Sequence, residues 1–189
     1  MTPAIGLRGL RRALRHFAGD RKGVSAVEFA LILPFMLTLY VGGVELGDGL
    51  AIQFRTTLAA RTVADLASQY ITIDSTTMSD IVGAAATVLT PYSSTNLTVN
   101  VSEVEVAKNA TSGTIRWSSN TTAHPQNQSV SLPTALQKPS SNIWLIWGEV
   151  SYPYTPSMGY VVTGTINMYQ DMFFYPRQSS CVTYNNVCS

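Results

Sequence analysis

The spacing of apolar residues changes twice along this chain. From Val24 to Val44 the residues are apolar almost throughout, and Glu28 is the only charged residue among them. Apolar residues then recur at every fourth position as far as Tyr70, which is typical of one face of a helix. Beyond residue 96 they alternate with polar residues, which is typical of strands. The order predicts an α+β protein with a long N-terminal helix and a small antiparallel sheet.

We expect one helix over residues 24–70, with a membrane-spanning first half over residues 24–44. At 1.5 Å per residue that half is about 31 Å long, close to the ~30 Å hydrocarbon core of a bilayer. Pro34 lacks an N–H group and predicts a kink. The second half is predicted to pack on the sheet. The residues of this predicted contact face are Leu50, Phe54, Leu58, Leu66 and Tyr70, with Ala59, Val63 and Ala67 beside them.

The remaining residues, 71–189, are expected to form an outer α+β domain. Residues 71–77 are predicted to be a turn, and Ser79 to cap a short helix over Asp80–Leu89. A change of parity along the first strand predicts a bulge near Ser102–Glu103. The later elements follow in order. They are a hairpin turn at 110–113, a returning strand at 114–118, a polar surface loop at 119–142, a strand over 143–154 that ends at a sheet edge at Pro153, and a last strand over 163–175.

Charge is unevenly distributed and predicts the orientation in a membrane. The net charge is +1, yet residues 1–23 contain six of the twelve Lys and Arg residues and one of the eleven acids. The positive-inside rule therefore places this basic leader in the cytoplasm and the C-terminal domain outside. No basic block occurs elsewhere, so the sequence does not predict a nucleic-acid partner. A plain single-pass anchor would explain the charges but not Glu28, and the apolar run is too long for a typical cleaved secretory signal.

The cysteines and histidines do not suggest a catalytic or metal site. Cys181 and Cys188 lie close together near the C-terminus, and an oxidising compartment would join them in a disulfide, with two free thiols as the alternative. His16 lies in the leader, and His124 lies in the polar loop, where we expect it to be solvated. No catalytic motif, metal-ligand spacing or cofactor motif is present, so we expect a protein that is not an enzyme and binds no metal or cofactor.

Glu28 has an explanation if the chain is cut between Gly23 and Val24. Cleavage would leave an amino group on Val24 and place Glu28 in the first helical turn, where the macrodipole favours a negative charge. Glu28 could then pair with the new ammonium group of a neighbouring chain and set the register between helices. The alternative is that Glu28 reaches the lipid headgroups by itself.

The stretch RKGVSAVEFALILPFMLTLYVGGVELG resembles the TadE-like family of minor pseudopilins of the Tad (tight adherence, Flp-type) pilus. The stretch has the order of features of a type IV prepilin, which is a basic leader, Gly23, Glu28, the aromatic Phe29 and then Pro34. The resemblance implies a pilin-like fold and cleavage after Gly23 by the prepilin peptidase. It also implies partners among other pilins or pseudopilins, the inner-membrane assembly platform and membrane lipid.

These observations predict a minor pseudopilin that primes or tips a Tad pilus used in surface adherence. The chain would cross the bacterial inner membrane once, with its outer domain in the periplasm or in a pilus at the cell surface. The alternative is a membrane-anchored periplasmic binding or adhesin module that never enters a pilus. The mature N-terminus separates the two, because an intact chain beginning at Met1 favours the alternative.

Overall fold

The computed structural model describes residues 21–156, 159 and 164–188, so most of the predicted leader, including His16, lies outside the described residues. The chain folds as the predicted α+β protein, a long helix packed on a small antiparallel sheet. Its elements are α1 (Arg21–Ser68), β1 (Thr72–Ile73), α2 (Ser75–Val88), β2 (Thr98–Val106), β3 (Ser112–Ser118), β4 (Ser129–Ser131), a 3-10 turn (Thr134–Leu136), β5 (Ile143–Tyr154), β6 (Ile166–Phe174) and β7 (Thr183–Tyr184).

Five strands form one antiparallel sheet in the order β4-β3-β2-β5-β6. β5 matches its predicted bounds and lies between β2 and β6, so it is not an edge strand. Pro153 nevertheless pairs only with Asn167 of β6, because β2 starts at Thr98, which lies opposite Ser151. Because no residue of β2 faces Pro153, the missing N–H group of proline costs no hydrogen bond on that side.

A register shift lies close to the predicted bulge, but the parity change in β2 has a different cause. In the pairing with β3, Glu103 faces Trp117 and Val104 faces Ile115, so Arg116 is the extra residue. The pairing of β2 with β5 has no such shift. Val101 belongs to the core under α1, and Val104 belongs to a second core on the other face. The parity therefore changes because the two halves of β2 contribute to opposite cores.

The predicted contact face of α1 is correct only in part. Leu50, Phe54 and Leu58 are exposed, by 63, 71 and 43 % of their surfaces. Ala59, Val63 and Ala67 are buried as predicted, and Ile52, Ala60 and Ala64 are buried with them.

The reason is the short distance between α1 and the sheet. A Cβ at Gly148 of β5 would lie 3.0 Å from the backbone nitrogen of Ala64 and 3.1 Å from the carbonyl oxygen of Ala60. The helix backbone thus rests on the bare backbone of Gly148. Leucine and phenylalanine side chains do not fit in that gap, so small residues face the sheet where α1 crosses Gly148.

α1 is a single helix that runs through Pro34 and through the glycines between residues 42 and 49, and it ends at Ser68. α2 begins earlier than the sequence predicted. Its N-cap is Asp74, whose carboxylate accepts a hydrogen bond of 2.7 Å from the N–H of Thr77, so Ser79 lies inside the helix. The predicted turn at 71–77 accordingly contains β1 and the first turn of α2. Met78, Ile81 and Ala85 of α2 join the core with α1.

The segment predicted as a polar surface loop, 119–142, covers the sheet face opposite α1. It contains β4 and the 3-10 turn, and it buries Val130 and Leu132 against Leu145 and Trp147 of β5. The two apolar side chains were overlooked because they are isolated among polar residues. The domain therefore has a second core beneath this segment.

The C-terminal segment is fixed to the first core. The predicted pairing of Cys181 with Cys188 is confirmed, since the structure contains this disulfide. β7 pairs in parallel with β1, next to the end of α1. Val182, the residue immediately before β7, is fully buried. Its N–H donates to the Glu103 carboxylate at 2.7 Å, and its carbonyl accepts from the Trp117 indole at 2.7 Å.

Glu103 is a buried acid that should make stability depend on pH. Burial raises its pKa to about 7, and the Val182 N–H only partly offsets this shift. An unfolded glutamate releases its proton near its ordinary value of 4.5. Between these two values the folded chain binds more protons than the unfolded chain, so stability falls as pH rises through this window. The loss above pH ~7 is about 3 kcal/mol, at about 1.4 kcal/mol per pKa unit.

We expect Glu103→Gln to remove this pH dependence. The amide keeps the shape and the acceptor for Val182 but carries no charge. The variant should match the wild type at about pH 4, below the unfolded pKa, and be more stable by up to about 3 kcal/mol at about pH 8. Unfolding of the full chain in detergent, followed by tryptophan fluorescence, measures the difference. Asp80→Asn is the control, because it removes an exposed carboxylate on α2 and should leave the wild-type slope in place. An unchanged slope in Glu103→Gln would contradict the assignment.

Candidate functional site

The first half of α1 projects away from the rest of the molecule. Its large apolar side chains from Val24 to Tyr40 are exposed on all sides of the helix. Within the part of the chain that the structure describes, one helix is long and apolar enough to cross a membrane, Gly23–Ser68, and the apolar window in it is not buried by the domain. Exposed apolar surface of this size is characteristic of a membrane or protein contact. The predicted span at 24–44 lies within this helix.

Gly23 and Val24, the predicted processing site, lie near the start of α1 and are exposed. A Cβ at Gly23 would contact no atom within 4 Å. The outer domain therefore does not cover this site. Its cleavage remains a prediction. Glu28 is the eighth described residue of α1. Its predicted first-turn position would exist only in a cleaved chain.

Glu28 and Phe29 are both exposed on the projecting half of α1. Glu28 has no hydrogen bond or ion pair among residues 21–156, 159 and 164–188. Pro34 lies inside the helix, where Thr38 donates a hydrogen bond of 2.8 Å to its carbonyl oxygen. The structure does not bring these residues close to the cysteines, which lie in the outer domain. The role of Glu28 in register remains a prediction.

The exposed residues Leu46, Leu50, Phe54 and Leu58 form what we call the outward stripe. They follow one another at intervals of four residues and continue the apolar surface of the membrane segment. At 1.5 Å per residue, Phe54 lies about 15 Å beyond Val44 along the helix axis. The headgroup layer is only about 5–8 Å thick on each side of the hydrocarbon core. The outer part of the stripe therefore projects into water unless another molecule covers it.

A partly buried polar cluster, centred on the buried Glu149, lies on the sheet face that residues 119–142 cover. His124 Nε2 is 2.6 Å from a Glu149 oxygen, and the Tyr169 hydroxyl donates to the other Glu149 oxygen at 2.6 Å. The His124 ring packs on Trp147 with centroids 4.8 Å apart, and the Trp147 indole donates to Asp171 at 3.0 Å. The expectation that His124 is solvated is therefore wrong, because it attaches its segment to the sheet.

Electrostatics in this cluster follow from its burial. Burial raises the pKa of Glu149, and the hydrogen bond from Tyr169 and the proximity of His124 partly offset the rise. The pKa of Tyr169 is raised by burial and by the adjacent Glu149 carboxylate. Glu149 could have been found from the sequence, since it follows Leu145 and Trp147 at the same parity of β5. No group of three or more His, Cys, Asp or Glu residues suited to a metal ion occurs among the described residues.

The described chain thus combines a compact outer domain with one helix that is long and apolar enough to cross a membrane. Residues 23–65 match the family model described as TadE-like protein, which confirms the resemblance carried by this segment. The match covers most of α1 and stops before the sheet begins. The match indicates a component associated with a Tad pilus, and TadE-like proteins form a structural family. No curated protein and no solved structure matches the chain.

Proposed function

We propose that this chain is a minor pseudopilin, a structural component that helps to prime or tip a Tad pilus. The observation that carries the proposal is the continuous apolar surface of α1, which runs from the membrane segment through the outward stripe. A plain anchor needs apolar surface only within the bilayer. A pilin-like subunit needs it further along, because its helix packs against helices of neighbouring subunits once it leaves the membrane.

In this proposal the occupant of the outward stripe is α1 of another Tad pilin or pseudopilin. Each Leu or Phe that becomes buried contributes about 1.5–3 kcal/mol, so the four residues together favour a stable helix contact. Glu28 sets the register by pairing with the amino group of a neighbouring cleaved chain. Residues 1–22 face the cytoplasm and the outer domain faces the periplasm. Contacts with the inner-membrane assembly platform and with lipid complete the set of partners.

The proposal requires a specific cleavage, which is directly testable. We expect N-terminal sequencing of the membrane-extracted protein to begin at Val24. Gly23→Leu should block the prepilin peptidase and leave the full-length chain. Gly47→Leu is the matched control, since a Cβ at Gly47 also contacts nothing within 4 Å and cleavage should proceed normally. Normal processing of Gly23→Leu, or a wild-type chain that begins at Met1, would favour the alternative of a membrane-anchored adhesin module.

A further inference from the structure

A cavity of about 300 Å³ lies where α1 leaves the predicted membrane span. It is at the lower end of the sizes that hold small ligands. Asp48 and Ile52 of α1 line one side, and the segment after α2 contributes Tyr92. The end of β5 and the residue after it complete the lining with Tyr152, Tyr154 and Thr155.

Three tyrosine rings and one carboxylate give this cavity the chemistry of a cation site. Tyr154 is buried, and a Cβ at Gly49 would lie 3.7 Å from its ring. Burial raises the pKa of Tyr154, and the nearby carboxylates of Asp48 and Glu45 raise it further. Asp48 has no ion pair among the residues that the structure describes. Aromatic faces beside a carboxylate attract cations and repel anions.

Arg55 lies beside the cavity wall, but its guanidinium donates to backbone carbonyl groups and forms no ion pair with Asp48. Arg55 donates to the backbone carbonyl oxygens of Val88 and Thr90, and its guanidinium lies 5.8 Å from the centre of the Tyr92 ring. It therefore holds the end of α2 against α1 and fixes Tyr92 in the wall of the cavity. The charge of Asp48 is left for a ligand.

The position of the cavity identifies the ligand. Asp48 lies four residues beyond Val44, about 6 Å along the helix axis. That distance places it within the headgroup layer on the outer side of the bilayer, which is about 5–8 Å thick. We propose that this cavity binds the ammonium group of a phosphatidylethanolamine headgroup. The inference rests on the membrane-spanning position of α1 in the proposed function.

A primary ammonium fits better than the headgroups of other common lipids. Its three N–H groups can donate to the Asp48 carboxylate and to tyrosine hydroxyls. The choline group of phosphatidylcholine carries a charge but has no N–H donor. Phosphatidylglycerol offers no cation. We therefore expect the order of retention to be phosphatidylethanolamine, then phosphatidylcholine, then phosphatidylglycerol.

Native mass spectrometry of the full chain in detergent tests this order. The protein is incubated with equal amounts of the three lipids, and the retained lipid is counted. Asp48→Asn should lower retention of phosphatidylethanolamine about tenfold, as expected for loss of one charge-assisted contact. Tyr92→Leu should also lower it. Asp80→Asn is the matched control, because Asp80 is an exposed acid on α2, and its retention should equal that of the wild type.

The outcomes separate this inference from the proposed function. Equal retention of the three lipids, or unchanged retention in Asp48→Asn, overturns the lipid site. Displacement by free ethanolamine supports headgroup recognition. Stronger displacement by a lysine-containing peptide at equal concentration identifies a protein ammonium as the occupant and overturns the lipid site. Carbonate extraction of cell membranes tests the proposed function separately, because it removes proteins that do not span the bilayer. If the chain is washed out, the proposed function fails, whereas a retained chain without lipid preference overturns this inference alone.

Discussion

Cells whose only copy of this chain carries Glu28→Gln are expected to lose their Tad pili, although the variant is still inserted and cleaved. Glutamine keeps the shape of the side chain but cannot form an ion pair with the amino group of a neighbour. Loss of one such pair weakens the contact between subunits about tenfold or more. We expect pilus counts by electron microscopy to fall by about that factor, because a pilus that is not primed does not assemble.

The expected result follows from the position of Glu28 in the structure. The side chain is exposed on the projecting half of α1 and has no partner among the described residues. A charge near the bilayer centre costs roughly 2.5–3.5 kcal/mol on insertion scales, and less near the interface. Removing the charge should therefore help insertion rather than harm it. A defect in assembly with normal insertion would locate the function of Glu28 between subunits.

Two further variants and an immunoblot make the test specific. Glu28→Ala should behave as Glu28→Gln does, while Glu28→Asp should be intermediate because its charge sits on a shorter side chain. The immunoblot must show the form cleaved after Gly23 at wild-type levels in each case. Normal pilus numbers with Glu28→Gln would mean that Glu28 only reaches the headgroups, and the proposed register would be wrong.

The elements of this fold could be predicted from the sequence because their patterns are strong. The apolar run and its i+4 continuation predicted α1, and the strongly apolar stretch at 143–154 predicted β5 with correct bounds. The bounds of α2 were missed because two polar residues were both suitable caps. Asp74 caps the helix, and Ser79 lies in its second turn.

What the sequence could not predict is which apolar face meets the sheet. The large residues formed the clearer stripe, and hydrophobicity alone favoured them as the core. The decisive residue is Gly148, which lies more than 80 positions away from the helix residues it touches. Burial of His124 was missed for a similar reason, since its partners Glu149 and Trp147 come from a distant strand. Contacts of this kind depend on tertiary packing and leave no local signal.

The corrected face of α1 leads to the second prediction, that Phe54→Ser abolishes pilus assembly without weakening the outer domain. Phe54 is the most exposed residue of the outward stripe, at 71 % of its surface. Because it makes little contact within its own chain, the free energy of unfolding should change by no more than about 0.5 kcal/mol. The free energy of the contact between subunits should instead weaken by about 1.5–3 kcal/mol, because a neighbouring helix would cover the ring.

Two controls separate a surface for assembly from a part of the core. Tyr175→Ser removes another exposed aromatic side chain, at 55 % exposure, from outside α1, and pili should form normally. Ala64→Leu enlarges the buried face that rests on Gly148, and the outer domain should lose about 1–3 kcal/mol or more by overpacking. Thermal unfolding of the full chain in detergent and pilus counts are measured for all three variants. Normal pili with Phe54→Ser would show that no helix covers the outward stripe in a pilus. Destabilisation of that variant as large as that of Ala64→Leu would show that the ring belongs to the core.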